Sequence, residues 1–380
     1  MRFPLHASSP NNLRFLLIAA ISGRALAAAA RRAGYRPLVA DFFCDRDTVA
    51  LAERTAKLPG DLHSGIGGAR IAETLRRLAG SDRPVAVVLG SGFERQAEIV
   101  DQVAFHFPLA GNRAAAIRRV KDPQILATDC AEIGIPHPEF QWEPPPDPEN
   151  WVVKTVGGAG GSHITRANGE SPAAGRYFQR FVYGRSVSAL FVGDGRSARV
   201  IGFSRQWLSP APNAPYRYGG AVRLRRFDRS HAARISSWLS DLTLRAGLVG
   251  LCSADFVGDA NGYHLVEINP RPGATLDIFD SDEAPLIEAH LRAARGEPCR
   301  LPRFAGSMAS MITYATMPMP RFPAIKWPDW TADHQSPGTR LVAGDPVCTV
   351  FARGVSADAT ERAVKTHARQ LQHLWEGDRT

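Results

Sequence analysis

The chain has no apolar run long enough to cross a membrane, since no hydrophobic stretch approaches the roughly 20 residues that span a bilayer. It also has no CxxC spacing. Its five cysteines lie far apart and are odd in number, which is typical of reduced thiols and not of a disulfide framework or a zinc site. We therefore expect a cytoplasmic protein with no membrane association.

One segment near the start imitates a secretory signal, because Arg14 precedes the apolar run 15–21 and several alanines follow. The run is short, and Ser22, Gly23 and Arg24 interrupt it. A buried strand followed by an Ala-rich helix explains the same residues, so we interpret the segment as the start of a domain.

Basic residues interleaved with aromatics are also missing. The net charge of +9 comes mainly from arginines scattered along the 380 residues. We therefore expect no nucleic-acid partner, because such interfaces concentrate basic residues in a patch. The positive charge suits the phosphates and carboxylates of small substrates.

A GxGxxG turn is absent after the first predicted strand. The turn there reads AISGRAL, and the later LGSGFE lacks the third glycine. A dinucleotide-dependent enzyme is therefore disfavoured, because that motif brings the backbone close to the pyrophosphate.

What is present is an alternation of strand and helix patterns. Strands over 13–20 and 37–43 flank a helix over 23–33, and a helix over 71–78 precedes a strand over 85–89. This order predicts an α/β fold with a parallel sheet at its N-terminal end.

The middle of the chain predicts antiparallel structure instead. A single basic helical stretch runs from 117 to 134, and hairpin signals then separate strands. After a composition shift near residue 296, a β-like stretch over 339–352 and a helix from Ala357 onward predict a small C-terminal subdomain.

The constellation most specific for chemistry lies between Asp255 and Gly273. In a hairpin, Asp255 falls on one strand while Glu267 and Asn269 lie two apart on the next, so the latter two point to one face and three oxygen ligands converge. Magnesium favours such carboxylate and amide oxygens, completed by water and phosphate. Arg271 follows directly, where its cation can reach a phosphate.

These residues stand in ADFV and GYHLVEINPRPGATLD, which resemble the metal-binding hairpin of the ATP-grasp family. The resemblance implies an ATP-grasp fold with a Rossmann-like preceding domain, and ATP with Mg²⁺ or Mn²⁺ as cofactors. The metal ligands would be Asp255, Glu267 and Asn269, and the nucleotide would be bound by Lys121, Lys154, Gly157, Gly158, Gly160, Gly161, Ser162, Gln179, Phe181 and Val182. Arg205 and Arg271 are the candidates for clamping phosphate.

The adenine-reading strand departs from the family pattern. Gln179 and Arg180 stand where acidic residues are usual, and Ser186 stands where a Glu often meets ribose, which puts nucleotide choice in doubt. We interpret His163 as an exposed loop residue and Tyr218–Arg223 as a substrate-proximal loop.

The expected domains are a disordered tail at 1–12, a preceding βαβ domain at 13–112, the nucleotide-binding domain at 113–295 and the C-terminal subdomain at 296–380. Loops 22–24 and 90–94, at the ends of strands, should form the nucleophile pocket.

The resemblance implies an ATP-dependent ligase that activates a carboxylate as an acyl phosphate and couples it to an amine. Within the family, the sequence looks like ligases of methanofuran and tetrahydromethanopterin biosynthesis, such as tyramine-glutamate ligase, which would join glutamate to an amine. A non-catalytic nucleotide-binding module and a carboxylase that uses bicarbonate remain alternatives. The substrates would be small molecules, and the resemblance leaves room for a homodimer.

Overall fold

The computed structural model describes residues 14–62, 64–169 and 173–376, so the predicted tail at 1–12 lies outside the described residues. The N-terminal elements are β1 (Phe15–Ala19), α1 (Arg24–Arg32), β2 (Arg36–Asp41), α2 (Arg46–Leu51), β3 (Arg54–Lys57), β4 (Gly60–Asp61), β5 (Gly65–Ile66), α3 (Ile71–Ala79), β6 (Ala86–Leu89), α4 (Glu98–His106) and β7 (Leu109–Ala110).

The predicted parallel sheet is present in this region. Its strands run in the order β3-β2-β1-β6-β7, and every pairing is parallel. The central strand β1 is buried on both faces, as its continuous apolar sequence indicates. Helices α2 and α4 and the two edge strands of the sheet, β3 and β7, were not predicted.

The middle of the chain contains α5 (Ala114–Lys121), α6 (Pro123–Ile133), β8 (Phe140–Gln141), β9 (Trp151–Thr155), β10 (Thr165–Arg166), β11 (Arg176–Arg180), β12 (Arg185–Asp194), β13 (Ala198–Leu208), β14 (Tyr218–Arg223), α7 (Arg229–Ala246), β15 (Val249–Asp259), β16 (Gly262–Asn269), α8 (Leu276–Phe279) and α9 (Leu286–Ala294). The C-terminal elements are β17 (Ser307–Tyr314), β18 (Thr331–Ala332), β19 (Pro346–Gly354) and α10 (Ala357–Glu376).

The single helix predicted over 117–134 is two helices. Asp122 caps the second one by accepting hydrogen bonds from the backbone N–H groups of Gln124 and Ile125, and Pro123 is its first residue. Proline is favoured there because its missing N–H would lack an intrahelical partner in any case. Gly134 ends the helix in the left-handed region, as its position in the sequence predicts.

Two antiparallel sheets follow. The smaller one has the order β10-β9-β11-β8, and the larger one has the order β16-β15-β12-β13-β14-β17-β19-β18. Strand β17 pairs with β14, so the C-terminal segment extends the central sheet. The β-like stretch predicted over 339–352 is a strand only from Pro346, because the residues before it form turns. The domain boundaries themselves stay predictions.

A cleft of about 1640 Å³ is lined by residues of the small antiparallel sheet, of the central sheet, and of helix α1 and the loops that follow strands of the parallel sheet. Among the described residues, no helix combines the length and the apolar character needed to cross a membrane.

Candidate functional site

The hairpin of β15 and β16 carries the three predicted metal ligands into the cleft. Asp255 pairs directly with Glu267 across the two strands, and a register shift follows at Asp255 and Phe256. Asn269 lies two residues beyond Glu267 on the same face, and its Nδ2 donates to Asp255 Oδ2 at 2.9 Å. All three residues line the cleft. We call this part of the cleft, with the two lysines below, the hairpin side.

The two predicted lysines converge on this hairpin from different elements. Lys121, the last residue of α5, donates from Nζ to Glu267 Oε1 at 2.5 Å and to Asn269 Oδ1 at 3.0 Å. Lys154 on β9 donates to Gln179 Oε1 and to the carbonyl of Val266, both at 3.2 Å. Both lysines are buried, so these partners fix the positions of their cations.

Charge balance in this group explains its protonation states. Burial alone would raise the pKa of Glu267, but Lys121 and then Lys154 outweigh burial and lower the pKa to about 2. The pKa of Asp255 is raised instead, by burial and by the neighbouring Glu267 carboxylate. Two facing carboxylates of this kind repel each other, and a cation between them would relieve that repulsion.

The donor set of the hairpin therefore fits a magnesium ion. Two carboxylates and one amide carbonyl are too few to enclose a metal, and across residues 14–62, 64–169 and 173–376 no three His, Cys, Asp or Glu side chains form a metal-binding group. Magnesium suits this partial set, because it keeps several waters and is completed by substrate phosphates.

The glycine loop between β9 and β10 is packed between neighbours. A Cβ on Gly157 would lie 2.5 Å from the carbonyl oxygen of Glu94, and one on Gly161 would lie 2.0 Å from that of Tyr216. The backbone N–H of Tyr218 donates to the carbonyl of Gly160 at 2.9 Å. Glycine is thus required where the loop meets other backbone.

His163 is not the exposed loop residue that we expected. It is half-buried, its ring packs against Gly158, and it lines a small cavity together with Lys154 and Glu267. Burial lowers its pKa to about 4, so it is neutral at physiological pH. The loop closes back over the hairpin, which brings this ring inward.

The predicted adenine-reading residues line the cleft, but they do not act alike. Gln179 is buried on β11, and its side chain accepts from Lys154. Phe181 and Val182 follow the strand, and Phe181 packs edge-on against Tyr183 with 4.7 Å between ring centroids. Gln179, which stands where the family usually has an acidic residue, therefore positions Lys154.

Arg271 follows the hairpin and lines the cleft, as predicted. Its Nε donates to Glu94 Oε1 at 2.7 Å, and the other Glu94 oxygen accepts from the backbone N–H of Gly92 at 2.8 Å. Burial would raise the pKa of Glu94, but Arg271 and Lys121 outweigh it and keep the carboxylate ionised. The sequence singled out loop 90–94 but not this ion pair.

Arg205 requires a correction. It is directed away from the cleft and pairs with Asp358 and Glu361 of α10, both at 2.7 Å. The alternation of side chains along β13 places the adjacent Gln206 on the cleft side, where its Nε2 donates to Asp255 Oδ1 at 3.2 Å. We therefore do not retain Arg205 as a phosphate ligand.

The substrate-proximal loop predicted over Tyr218–Arg223 is strand β14. Arg223 is a structural tether, because it donates to the carbonyls of Gly306 and Ile278 and stacks on Phe304 at 3.9 Å. Tyr218 does line the cleft.

A second polar group lines the cleft, and its members were not predicted together. Arg24, at the start of α1, donates to both carboxylate oxygens of Asp277, at 2.6 and 2.7 Å, and to both of Asp333, at 3.0 and 3.1 Å. We call the part of the cleft that contains these residues and Tyr218 the Arg24 side. Loop 22–24 was predicted to contribute to a nucleophile pocket, but its two acidic partners are remote in sequence.

Comparison with known proteins agrees with this geometry. Residues 126–275 match the family model of an ATP-grasp domain, and they include the hairpin, Lys154 and the glycine loop. The chain has the ATP-grasp fold. No curated protein matches it in sequence.

Three solved structures show the extent of the likeness. A biotin carboxylase domain of 2-oxoglutarate carboxylase from Hydrogenobacter thermophilus, bound to MgADP, ADP and bicarbonate, is 13% identical with a TM-score of 0.68, and the match covers 92% of this chain and 89% of that one. An L-amino acid ligase from Bacillus licheniformis is 13% identical with a TM-score of 0.65, covering 95% and 97%.

Pyruvate carboxylase from Rhizobium etli, bound to acetyl coenzyme A, is also 13% identical, with a TM-score of 0.68. The match covers 94% of this chain but only 39% of that much longer protein. At these identities the likeness establishes the fold, and the chemistry has to be argued from the residues of this chain.

Proposed function

We propose that the protein is an ATP-dependent ligase that activates a carboxylate as an acyl phosphate and couples it to an amine. The observation that carries the proposal is the convergence of two lysines and an arginine on the hairpin that carries the three oxygen ligands, at one side of the cleft. Phosphoryl transfer depends on positioning and charge neutralisation more than on covalent help, and this group supplies both.

The reaction needs no reactants other than ATP, the carboxylate and the amine. A carboxylate oxygen attacks the γ-phosphorus of ATP, and the bond to the departing ADP oxygen breaks. The amine nitrogen then attacks the acyl carbon, phosphate leaves, and the nitrogen loses a proton to give an amide.

The residues divide this work. Lys121, Lys154 and Arg271 hold the phosphates, and magnesium on the hairpin ligands would neutralise the charge that develops on them when it is bound. Phe181 and Val182 meet the base.

Carboxylate-dependent release of ADP tests the proposal. The purified protein is incubated with ATP, magnesium and each of the 20 amino acids, with hydroxylamine present to trap any acyl phosphate as a hydroxamate. We expect both ADP and hydroxamate with at least one acid, and neither after EDTA is added. ADP release without hydroxamate contradicts the ligase, and no turnover with any acid contradicts it and favours the nucleotide-binding module.

Glutamate is the first acid to test. The sequence resembles ligases of one-carbon cofactor biosynthesis, and tyramine is the corresponding first amine. The hydrogenobacter domain was solved as a dimer, and we propose the same state for this chain in the cytoplasm. Light scattering tests it, since a mass near 41.3 kDa would exclude a stable dimer.

A carboxylase is the second candidate, because two of the three structures described above belong to carboxylases and one of them holds bicarbonate. It predicts ADP release that depends on bicarbonate and not on an amino acid. The ligase predicts that removing bicarbonate leaves turnover unchanged.

A further inference from the structure

The Arg24 side of the cleft carries more negative charge than its arginine balances. Arg24 is buried, and its guanidinium serves two carboxylates, Asp277 and Asp333, which keep side-chain exposures of 16% and 22%. Asp45, a third carboxylate, lines the same part of the cleft. The hairpin side, in contrast, presents Lys154 and Arg271.

Arg24 has little capacity left for an anionic ligand. Four of its N–H groups already donate to the two aspartates, out of the five that a guanidinium has. Each carboxylate oxygen accepts only one of these bonds. The Thr349 side chain also donates to Asp333, whereas the two oxygens of Asp277 each keep a lone pair for a ligand. The group can therefore accept hydrogen bonds from a ligand, but it can donate almost none.

The hydroxyl of Tyr218 supplies an independent observation. Its oxygen is buried in the wall of the cleft and makes no hydrogen bond of ordinary geometry among the described residues, although the Ser310 side chain lies close enough to lower its pKa slightly. Burial raises its pKa, and Tyr314 and then the charges of Asp255 and Asp277 raise it further. A buried hydroxyl without a partner in the apoprotein is available to a bound substrate.

From this arrangement we propose that the Arg24 side binds the amine substrate as a primary ammonium, with Asp277 and Asp333 as acceptors and the Tyr218 hydroxyl as a further contact. An ammonium has three donors and no acceptor, which complements a wall of acceptors. Before the attack, the ammonium gives one proton to one of these carboxylates, which frees the lone pair of the nitrogen; the second proton leaves when the amide forms. The carboxylate substrate would lie nearer to Arg271. This inference rests on the proposed ligase, since it names the class of its second substrate.

A neutral nucleophile separates the two proposals. Hydroxylamine is largely uncharged at neutral pH, so it can trap an acyl phosphate without an ammonium site. Cationic primary amines need that site. With the acid that supports hydroxamate formation, we would measure amide formation from tyramine, agmatine and putrescine in the wild type and in two variants, Asp277→Asn and Tyr218→Phe.

We expect hydroxamate formation within about twofold of the wild type in both variants. For the best cationic amine, we expect the KM to rise about 10-fold or more in Asp277→Asn and about 5-fold in Tyr218→Phe, in line with the loss of a charged and a neutral hydrogen bond. Retained hydroxamate formation also shows that each variant is folded.

Two matched controls make the same chemical changes elsewhere. Asp282→Asn removes an aspartate that pairs with Arg32 on the surface, and Tyr263→Phe removes a hydroxyl outside the cleft wall. Both should keep the wild-type KM for the amine.

The possible outcomes are distinct. No hydroxamate with any acid in the wild type defeats the ligase itself. Hydroxamate formation in the wild type without amide from any cationic amine, or unchanged amine KM values in both variants, overturns the ammonium site while the ligase stands.

Discussion

The hairpin side of the cleft draws its three oxygen ligands from one short stretch of chain, whereas the Arg24 side is assembled from remote segments. Asp255 and Asn269 are hydrogen-bonded across 14 positions. Arg24 is bonded to partners 253 and 309 positions away. A ligand set within one hairpin can be recognised from its spacing, but a site assembled by tertiary folding leaves no local pattern.

The charges differ as well. The hairpin side holds cations that suit phosphate, and the Arg24 side holds surplus carboxylates that suit an amine. Glu94 connects two regions of the chain, because it follows a strand of the parallel sheet and its carboxylate accepts a hydrogen bond from Arg271, just after the hairpin. Substitutions on the hairpin side, at the Glu94–Arg271 ion pair and on the Arg24 side should therefore differ in the size of their effects.

Glu267→Gln should have the largest effect. The change removes one charge from the proposed metal set and the ionic partner of Lys121. We expect ATP turnover to fall by at least about 1000-fold, because charge neutralisation by the metal contributes several kcal/mol to such reactions. Glu297→Gln, which removes a surface partner of Arg295, is the control. Turnover within about 10-fold of the wild type would contradict the site.

Glu94→Gln should have an intermediate effect. The amide can still accept from the N–H of Gly92, but it loses the ionic contact to Arg271. We expect kcat to fall about 10- to 100-fold with little change in the KM for ATP, since a charged hydrogen bond contributes about 1.5–3 kcal/mol. The exposed Glu98→Gln, four residues on, serves as control. An unchanged kcat would mean that Arg271 needs no such support.

Asp45→Asn should have the smallest effect, on stability. Burial and the charge of Asp333 raise the pKa of Asp45 to about 6, above its value in the unfolded chain. The folded state therefore favours the protonated form of Asp45. The stability that this form contributes is fully present below about pH 4 and is lost as the pH rises through 6. Asparagine can still cap α2.

The free energy of unfolding of Asp45→Asn should thus equal that of the wild type near pH 4 and exceed it by about 1–3 kcal/mol at pH 8, as measured by denaturant unfolding. Asp228 caps α7 in an exposed position, where Ser230 and the N–H of His231 lower its pKa. Asp228→Asn should bring no gain at pH 8. If the difference in unfolding free energy between Asp45→Asn and the wild type does not change with pH, the Asp45 carboxylate is not a buried charge at the Arg24 side.

The order of the elements followed from the sequence wherever the pattern was local. Helix α1 was predicted over 23–33 and spans Arg24–Arg32, and Gly134 ends a helix where the predicted helical stretch over 117–134 stops. Strand β17 was missed, because its sequence is rich in Met and Ser and only pairing with β14 and β19 makes it a strand. Pairing with the neighbouring strands, and not the local sequence, therefore determines that β17 is a strand.

The candidate site divides in the same way. The ligand hairpin, Lys154 and Arg271 could be predicted from spacing and resemblance. The direction of the Arg205 side chain could not be predicted from the sequence. Adjacent residues of a strand point to opposite faces, and a register shift in β13 obscures whether Arg205 or Gln206 faces the cleft. The pairing of Glu94 with Arg271 could not be predicted either, since 177 positions separate them.

The central claim is that the two sides of the cleft act on separate steps. The most direct test measures hydroxamate and amide formation side by side in Glu267→Gln and Asp277→Asn. We predict that Glu267→Gln loses both products, whereas Asp277→Asn keeps the hydroxamate and loses most of the amide. Parallel loss of both products in Asp277→Asn, or full amide formation in Glu267→Gln, would contradict the account.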